Sequence, residues 1–230
     1  MRYIVKDKSR DFVITSAWLI ILALVLAILV FPQSQRIFRK LTLEYPYLMG
    51  MIKVGLLGTM GELLGGKIVT GKWKLCGIRL GEKFLVWAFL GIVFTAVFPV
   101  FSFGVDGLLT AGLLPGIKIP ILVAFWKSFF MNIIFAFPMM SFHRLTDTAI
   151  VEGGLFRKWN IPATFRRIDW DNMFRLVGLA CLWFWIPAQT VTFSLPPEFR
   201  VMSAALLAIA LGIIMGTAKK ISLKKLNDQA

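Results

Sequence analysis

Side chains that carry most enzyme chemistry are nearly missing from these 230 residues: there is one histidine, His143, and two cysteines, Cys76 and Cys181. Cys76 stands in a basic loop and Cys181 inside an apolar run, so no zinc-like spacing exists and a disulfide between them is not expected. One histidine and scattered carboxylates make no metal cluster, and no cofactor is implied. No Ser or Cys occupies a nucleophile signature, which argues against an enzyme. Charge is scarce too, at 17% of residues, where soluble domains carry about 25%. The first apolar run is followed by PQSQRIFRK instead of a small-residue cleavage site, so a cleaved signal peptide is not expected. The start, MRYIVKDKSRD, also lacks the Ser/Arg-rich, acid-free character of a mitochondrial presequence.

What is abundant is apolar surface. Of all residues 58% are hydrophobic, with a mean hydropathy of +0.77. A net charge of +14 would suit nucleic acid only if the basic residues shared one face; here they lie between apolar runs. The expected fold is therefore all-α, a single polytopic membrane helix bundle over residues 1–230.

Six spans are predicted from length and hydropathy, at about residues 12–31, 47–70, 83–104, 119–142, 173–193 and 200–218. Between the third and fourth lies VDGLLTAGLLPGIK, which reads as an interfacial loop or a shallow re-entrant turn. A long inner loop is expected over 143–172. With the N-terminus inside, nineteen of the 26 Lys and Arg fall in residues 1–11, 66–83, 143–175 and 219–225. Five (Arg36, Arg39, Lys40, Lys118 and Arg200) fall outside, and Lys53 and Lys127 within spans. That bias predicts both termini in the cytoplasm of a bacterial inner membrane. The partners expected are the bilayer, anionic headgroups on the cytoplasmic side, held by Arg, Lys, Trp159 and Trp170, and self-association; no nucleic acid is expected.

The second span, YLMGMIKVGLLGTMGELLGGKIVTGK, organises this reading. Gly55, Gly58, Gly61 and Gly65 fall on one helix flank, where missing side chains admit a neighbouring helix. Glu62 lies among them, and a carboxylate at that depth costs about 2.5–3.5 kcal/mol unless it faces protein or water. Thr59 and Lys53 share the span. The fourth span contributes Lys127, Ser128 and Asn132, of which Ser128 and Asn132 stand at i and i+4 on one face. The fifth contributes Gln189, Thr190 and Thr192. These residues (Glu62, Thr59, Lys127, Ser128, Asn132 and Gln189) are the candidate pore-lining set. In one reading Glu62 and Lys127 pair across helices; in the other they form a structural pair or snorkel separately. His143 and Asp147, also at i and i+4, could form an acid–base pair. The alternative places His143 as an interfacial residue at a helix end.

At the exit of the fifth span, WIPAQTVTFSLPPEFRV resembles the C-terminal signature of the Mpv-seventeen and peroxisomal-membrane-protein-twenty-two family. Trp185, Gln189, Phe193 and Pro197 keep the family's four-residue steps. Pro187 is displaced by one, Thr192 stands where Asn is usual, and Arg200 comes one residue early. Upstream, NIIFAFP is similar to the family's mid-span Asp-Gln, Ala and Pro element, with Asn132 and Ile133 in the Asp and Gln places and Pro138 retained. Lys127 resembles the basic residue before it, and Met60-Gly61-Glu62 looks like the Met-Gly-x-Gly-Asp element, with Gly66 in its Gln place. The likeness covers Tyr47 to the end of the sixth span, leaving the first as an addition. It implies a small integral membrane protein of channel-like behaviour, without catalysis. The expected function is thus a pore for small solutes or ions. The alternatives are a scaffold subunit whose glycine flank binds another helix, or an enzyme acting on lipid headgroups.

Overall fold

Proline sets where the helices begin. Pro32, Pro46, Pro120 and Pro197 each stand at the start of a helix, where the missing N–H costs nothing and the fixed φ favours the helical turn. The computed structural model describes residues 2–228, with side chains for all of these except 2–8, 172, 176, 177, 181 and 225–228. The described elements are helices, and no strand occurs among the described residues. They are α1 (Arg2–Val30), α2 (Pro32–Glu44), α3 (Pro46–Thr70), α4 (Leu80–Thr110) and α5 (Pro120–Glu152). There follow α6 (Ile161–Arg166), α7 (170–194) and α8 (Pro197–Asp228).

Five stretches are long and apolar enough to cross a bilayer: Ser9–Val30, Pro46–Thr70, Leu80–Thr110, Pro120–Glu152 and Pro197–Lys224. The chain is accordingly a multi-pass membrane protein. The expected fifth span lies in α7, which is helical throughout but changes pitch twice, over Phe174–Gly178 and Cys181–Trp185. A similar π turn, Asn132–Ala136, interrupts α5. Two of these three stretches end two residues before a proline, Pro138 or Pro187. The proline ring crowds the carbonyl four residues back, and widening the preceding turn is one way to relieve it.

Two expected boundaries need correction, and one connection is a helix of its own. The connection after the first span is an amphipathic helix, α2, with Phe38 buried beneath it. The third span does not stop at Gly104: α4 continues to Thr110, so the first part of VDGLLTAGLLPGIK is helix, not loop. The inner loop expected from 143 begins only after Glu152, because α5 runs on past Phe142. In α4 and α5 the helix persists beyond the predicted span, since backbone hydrogen bonds need no hydrophobic side chain to continue.

The core is built around α3, which packs chiefly on α8 and α4, with Val54 and Leu57 almost wholly enclosed. Its glycines divide between two partners. A Cβ on Gly55 or Gly58 would run into the Phe84 or Trp87 ring of α4. One on Gly61 would meet the Ala208 carbonyl of α8, and Gly65 lies against Gly212 and Gly216. The whole flank is thus filled by the chain's own helices, leaving none of these four glycines for a second protein. By contrast, only 6% of the α1 span is buried. Its N-terminal half is pinned by Trp18 Nε1 donating to the Met60 carbonyl at 3.2 Å, by Trp73 Nε1 donating to Thr15 Oγ1 at 2.8 Å, and by a Lys67–Asp11 ion pair.

Candidate functional site

Lys83 is the hub of a partly buried cluster of charged groups. It stands one turn into α4, and its ammonium donates to Glu62 of α3 and, at 2.6 Å, to Asp147 Oδ1 of α5. One turn further along α4, Trp87 Nε1 donates to the other Glu62 oxygen at 3.1 Å. The imidazole of His143, on α5, rests against the Trp87 ring with centroids 4.5 Å apart. Three helices therefore converge on one ion triad, whose side chains are 13% exposed at Lys83 and 27% at each carboxylate. Both Glu62 oxygens are occupied, which is what makes a carboxylate tolerable at this depth.

This arrangement corrects two sequence expectations. Glu62 does not pair with Lys127; the two sit in different clusters. His143 and Asp147 do come to one place, but Asp147 is held by Lys83, and the imidazole has no side-chain hydrogen bond among the described residues. An acid–base dyad requires that bond or a water in its place.

Lys127 belongs to the opposite end of α4 and α5, where its ammonium lies 2.8 Å from Asp106 Oδ1 and 2.9 Å from Oδ2. Nearby on α4, Ser102 Oγ accepts from the Arg200 guanidinium at 3.3 Å. Arg200 also donates to the Phe193 and Leu195 carbonyls, capping the end of α7. Ser128 Oγ donates to the Ile186 carbonyl at 2.7 Å, tying α5 to α7. Asn132 Nδ2 donates back to Ser128, consistent with their shared face. Gln189 is buried, and its Oε1 is without a hydrogen-bond partner among the described residues. Thr192 is bonded to Ser203 of α8 at 2.8 Å. Thr59 spends its hydroxyl on the Gly55 carbonyl at 2.6 Å, inside α3. Lys53 is buried rather than snorkelling freely: its ammonium donates to Thr42 Oγ1 at 2.8 Å and lies over the Phe38 ring.

Of the motif residues singled out in the sequence, Gln189 and Phe193 are buried and Pro187 is exposed, while Trp185 is partly enclosed. Pro197 starts α8. The residues that sequence reasoning missed are Lys83, Trp87 and Asp106. In the sequence Lys83 reads as a charge at a span boundary and Asp106 as part of the loop after the third span. The available signal was the Lys83–Trp87 spacing, i and i+4, which puts an ammonium and an indole N–H on one face. Nothing in the sequence points that face at Glu62.

Between the two polar ends lies a wall of rings. Phe94 and Phe98 of α4, Phe135 of α5 and Phe193 of α7 contact in sequence, with centroid separations of 6.3 Å (Phe94–Phe98), 6.0 Å (Phe94–Phe135) and 5.2 Å (Phe98–Phe193). Among the described residues no group of histidine, cysteine and carboxylate side chains could hold a metal ion. Compared with protein-family models, with curated proteins and with solved structures, the chain matches none.

Proposed function

We propose that this chain is a channel-like membrane protein that passes small polar or charged solutes between α4, α5 and α7. In this reading it has six crossings, with α7 as the fifth, and both termini cytoplasmic. The observation that carries it is the disposition of the polar groups. Lys83 and Asp106 mark the two ends of α4, about 35 Å apart at 1.5 Å per residue, which matches a hydrocarbon core about 30 Å thick. Each polar end is satisfied within the protein, and Phe94, Phe98, Phe135 and Phe193 close the space between them. Such an arrangement is a shut path with a hydrophobic constriction. The π turns in α5 and α7 give those helices places to bend around the constriction. The charge alternation of nineteen against five supports the orientation, and the likeness to the Mpv-seventeen family supports the class. No catalytic step is assigned to His143 or Asp147.

Flux through proteoliposomes tests the reading, using the wild type beside Phe98→Leu, which removes one ring from the wall and widens the constriction while keeping an apolar core residue. Solute or ion flux above the lipid-only baseline, raised in Phe98→Leu, is the expected result. Baseline flux in both proteins, each reconstituted as folded material, overturns it.

One observation favours a second reading as a scaffold subunit: α1 leaves nearly all of its apolar span uncovered by the rest of the chain. Stoichiometric co-purification of a partner in mild detergent, lost on deletion of α1, would support that role.

A further inference from the structure

Glu62 and Lys83 have a second face, turned away from His143. There the inner ends of α3 and α4 and the connection 71–79 enclose an open pocket of about 180 Å³. Its polar lining is Thr59, Glu62, Lys74 and Lys83, and its walls include Leu63 and Ile78. The charges are not equally available. Both Glu62 oxygens accept from α4, one from Lys83 and one from Trp87, and Lys83 is shared between two carboxylates. Thr59 donates within its own helix. Lys74 is exposed and makes no ion pair among the described residues, so the pocket's uncommitted charge is one ammonium beside apolar walls.

We propose that this pocket binds the oxyanion headgroup of an acidic lipid, with the phosphate on Lys74 and the start of an acyl chain along Leu63 and Ile78. Three observations meet here. The free charge is positive, so an anion is complementary and a cation is not. The volume suits a headgroup rather than a whole amphiphile, whose chains would continue into the bilayer. The pocket lies at the end of two membrane-crossing helices, and its lining residues Gly66 and Ile78 are the chain neighbours of Lys67 and Arg79, a basic end of the helices where a phosphate layer would stand. Gly66 also lines it, and a Cβ there would meet no atom within 4 Å. The pocket can therefore be filled from α3 without pushing a helix aside.

That freedom supplies the test. Native mass spectrometry of the full chain in detergent measures retention of phosphatidic acid or phosphatidylglycerol against phosphatidylcholine, for wild type, Lys74→Gln, Gly66→Leu and the control Lys118→Gln, which lies in the connection at the opposite end of α4. The acidic lipids should be retained over phosphatidylcholine. Lys74→Gln should lower that retention by about fivefold, the share a single interfacial lysine contributes to anionic-lipid attraction. Gly66→Leu should lower it at least as far by occupying the space, and Lys118→Gln should leave it unchanged. Circular dichroism and a monodisperse elution profile establish that each variant is folded. Inorganic phosphate is the second probe. If millimolar phosphate does not displace the lipid, a lipid is the occupant. If phosphate binds and acidic lipid does not, the site takes a soluble oxyanion and the lipid assignment falls. Equal retention of phosphatidylcholine, or undiminished retention in folded Gly66→Leu, overturns the proposal.

Discussion

Replacing Lys83 with methionine removes the one cation between Glu62 and Asp147 while keeping most of the side-chain volume. Among the described residues, Trp87 Nε1 on Glu62 is then the one side-chain donor left to the two carboxylates. Breaking a buried ion pair from one side costs about 3–5 kcal/mol. About a quarter of each carboxylate reaches the surface, and solvent there takes up part of the uncompensated charge. A loss of about 2–4 kcal/mol is therefore expected for Lys83→Met. The triple variant Lys83→Met, Glu62→Gln, Asp147→Asn carries no charge, and the new amide at position 62 still offers an oxygen to Trp87. It should return to within about 1 kcal/mol of the wild type, because the desolvation cost has gone together with the attraction. Equilibrium unfolding in mixed detergent and sodium dodecyl sulfate micelles, followed by far-ultraviolet circular dichroism, measures both differences. The reasoning is refuted if Lys83→Met unfolds within 0.5 kcal/mol (about the error of such a measurement) of the wild type. It is also refuted if the triple variant is less stable than the single one.

Other perturbations separate the remaining contacts. Gly61→Val should cost about 1–3 kcal/mol by the same unfolding assay, since its side chain must displace the α8 backbone at Ala208; Gly66→Ala, which meets nothing, should leave stability unchanged or slightly raised. Asp106→Asn should cost less than about 1 kcal/mol, because Asp106 is half exposed and solvent can replace the partner of Lys127. A Thr192→Val substitution removes the hydroxyl bonded to Ser203 and should cost about 1 kcal/mol. In a Cys181→Ser background, a membrane-impermeant maleimide should label the exposed Cys76 in inside-out vesicles and not in intact cells; the opposite pattern would reverse the proposed orientation.

Much of the fold is legible in the sequence for one physical reason. A bilayer allows few solutions to backbone hydrogen bonding, so a long apolar run is read as a crossing helix with little ambiguity. The starts at Pro46, Pro120 and Pro197 are similarly local, since a proline acts on its own turn. The same locality explains the failures. Nothing in the composition of PQSQRIFRKLTLE distinguishes a surface loop from α2, because its amphipathic pattern makes sense only once Phe38 has somewhere to be buried. The extension of α5 through His143 depends on Ala149 and Ile150 finding the core, which the largely polar run from His143 to Thr148 conceals.

The candidate site divides along the same line. The sequence by itself determined that Glu62 had to be answered by a partner, since an isolated carboxylate within a span is too costly to leave alone. It also determined that Ser128 and Asn132 share a face and that glycines on α3 invite close contact. Only the tertiary structure decided that the partner is Lys83 rather than Lys127, and that Gly55 and Gly58 serve α4 while Gly61 and Gly65 serve α8. Helical periodicity assigns each residue a direction about its own axis. Which neighbouring helix stands in that direction, and at what height, is set by how all the helices pack together, and a single chain of letters contains no term for that.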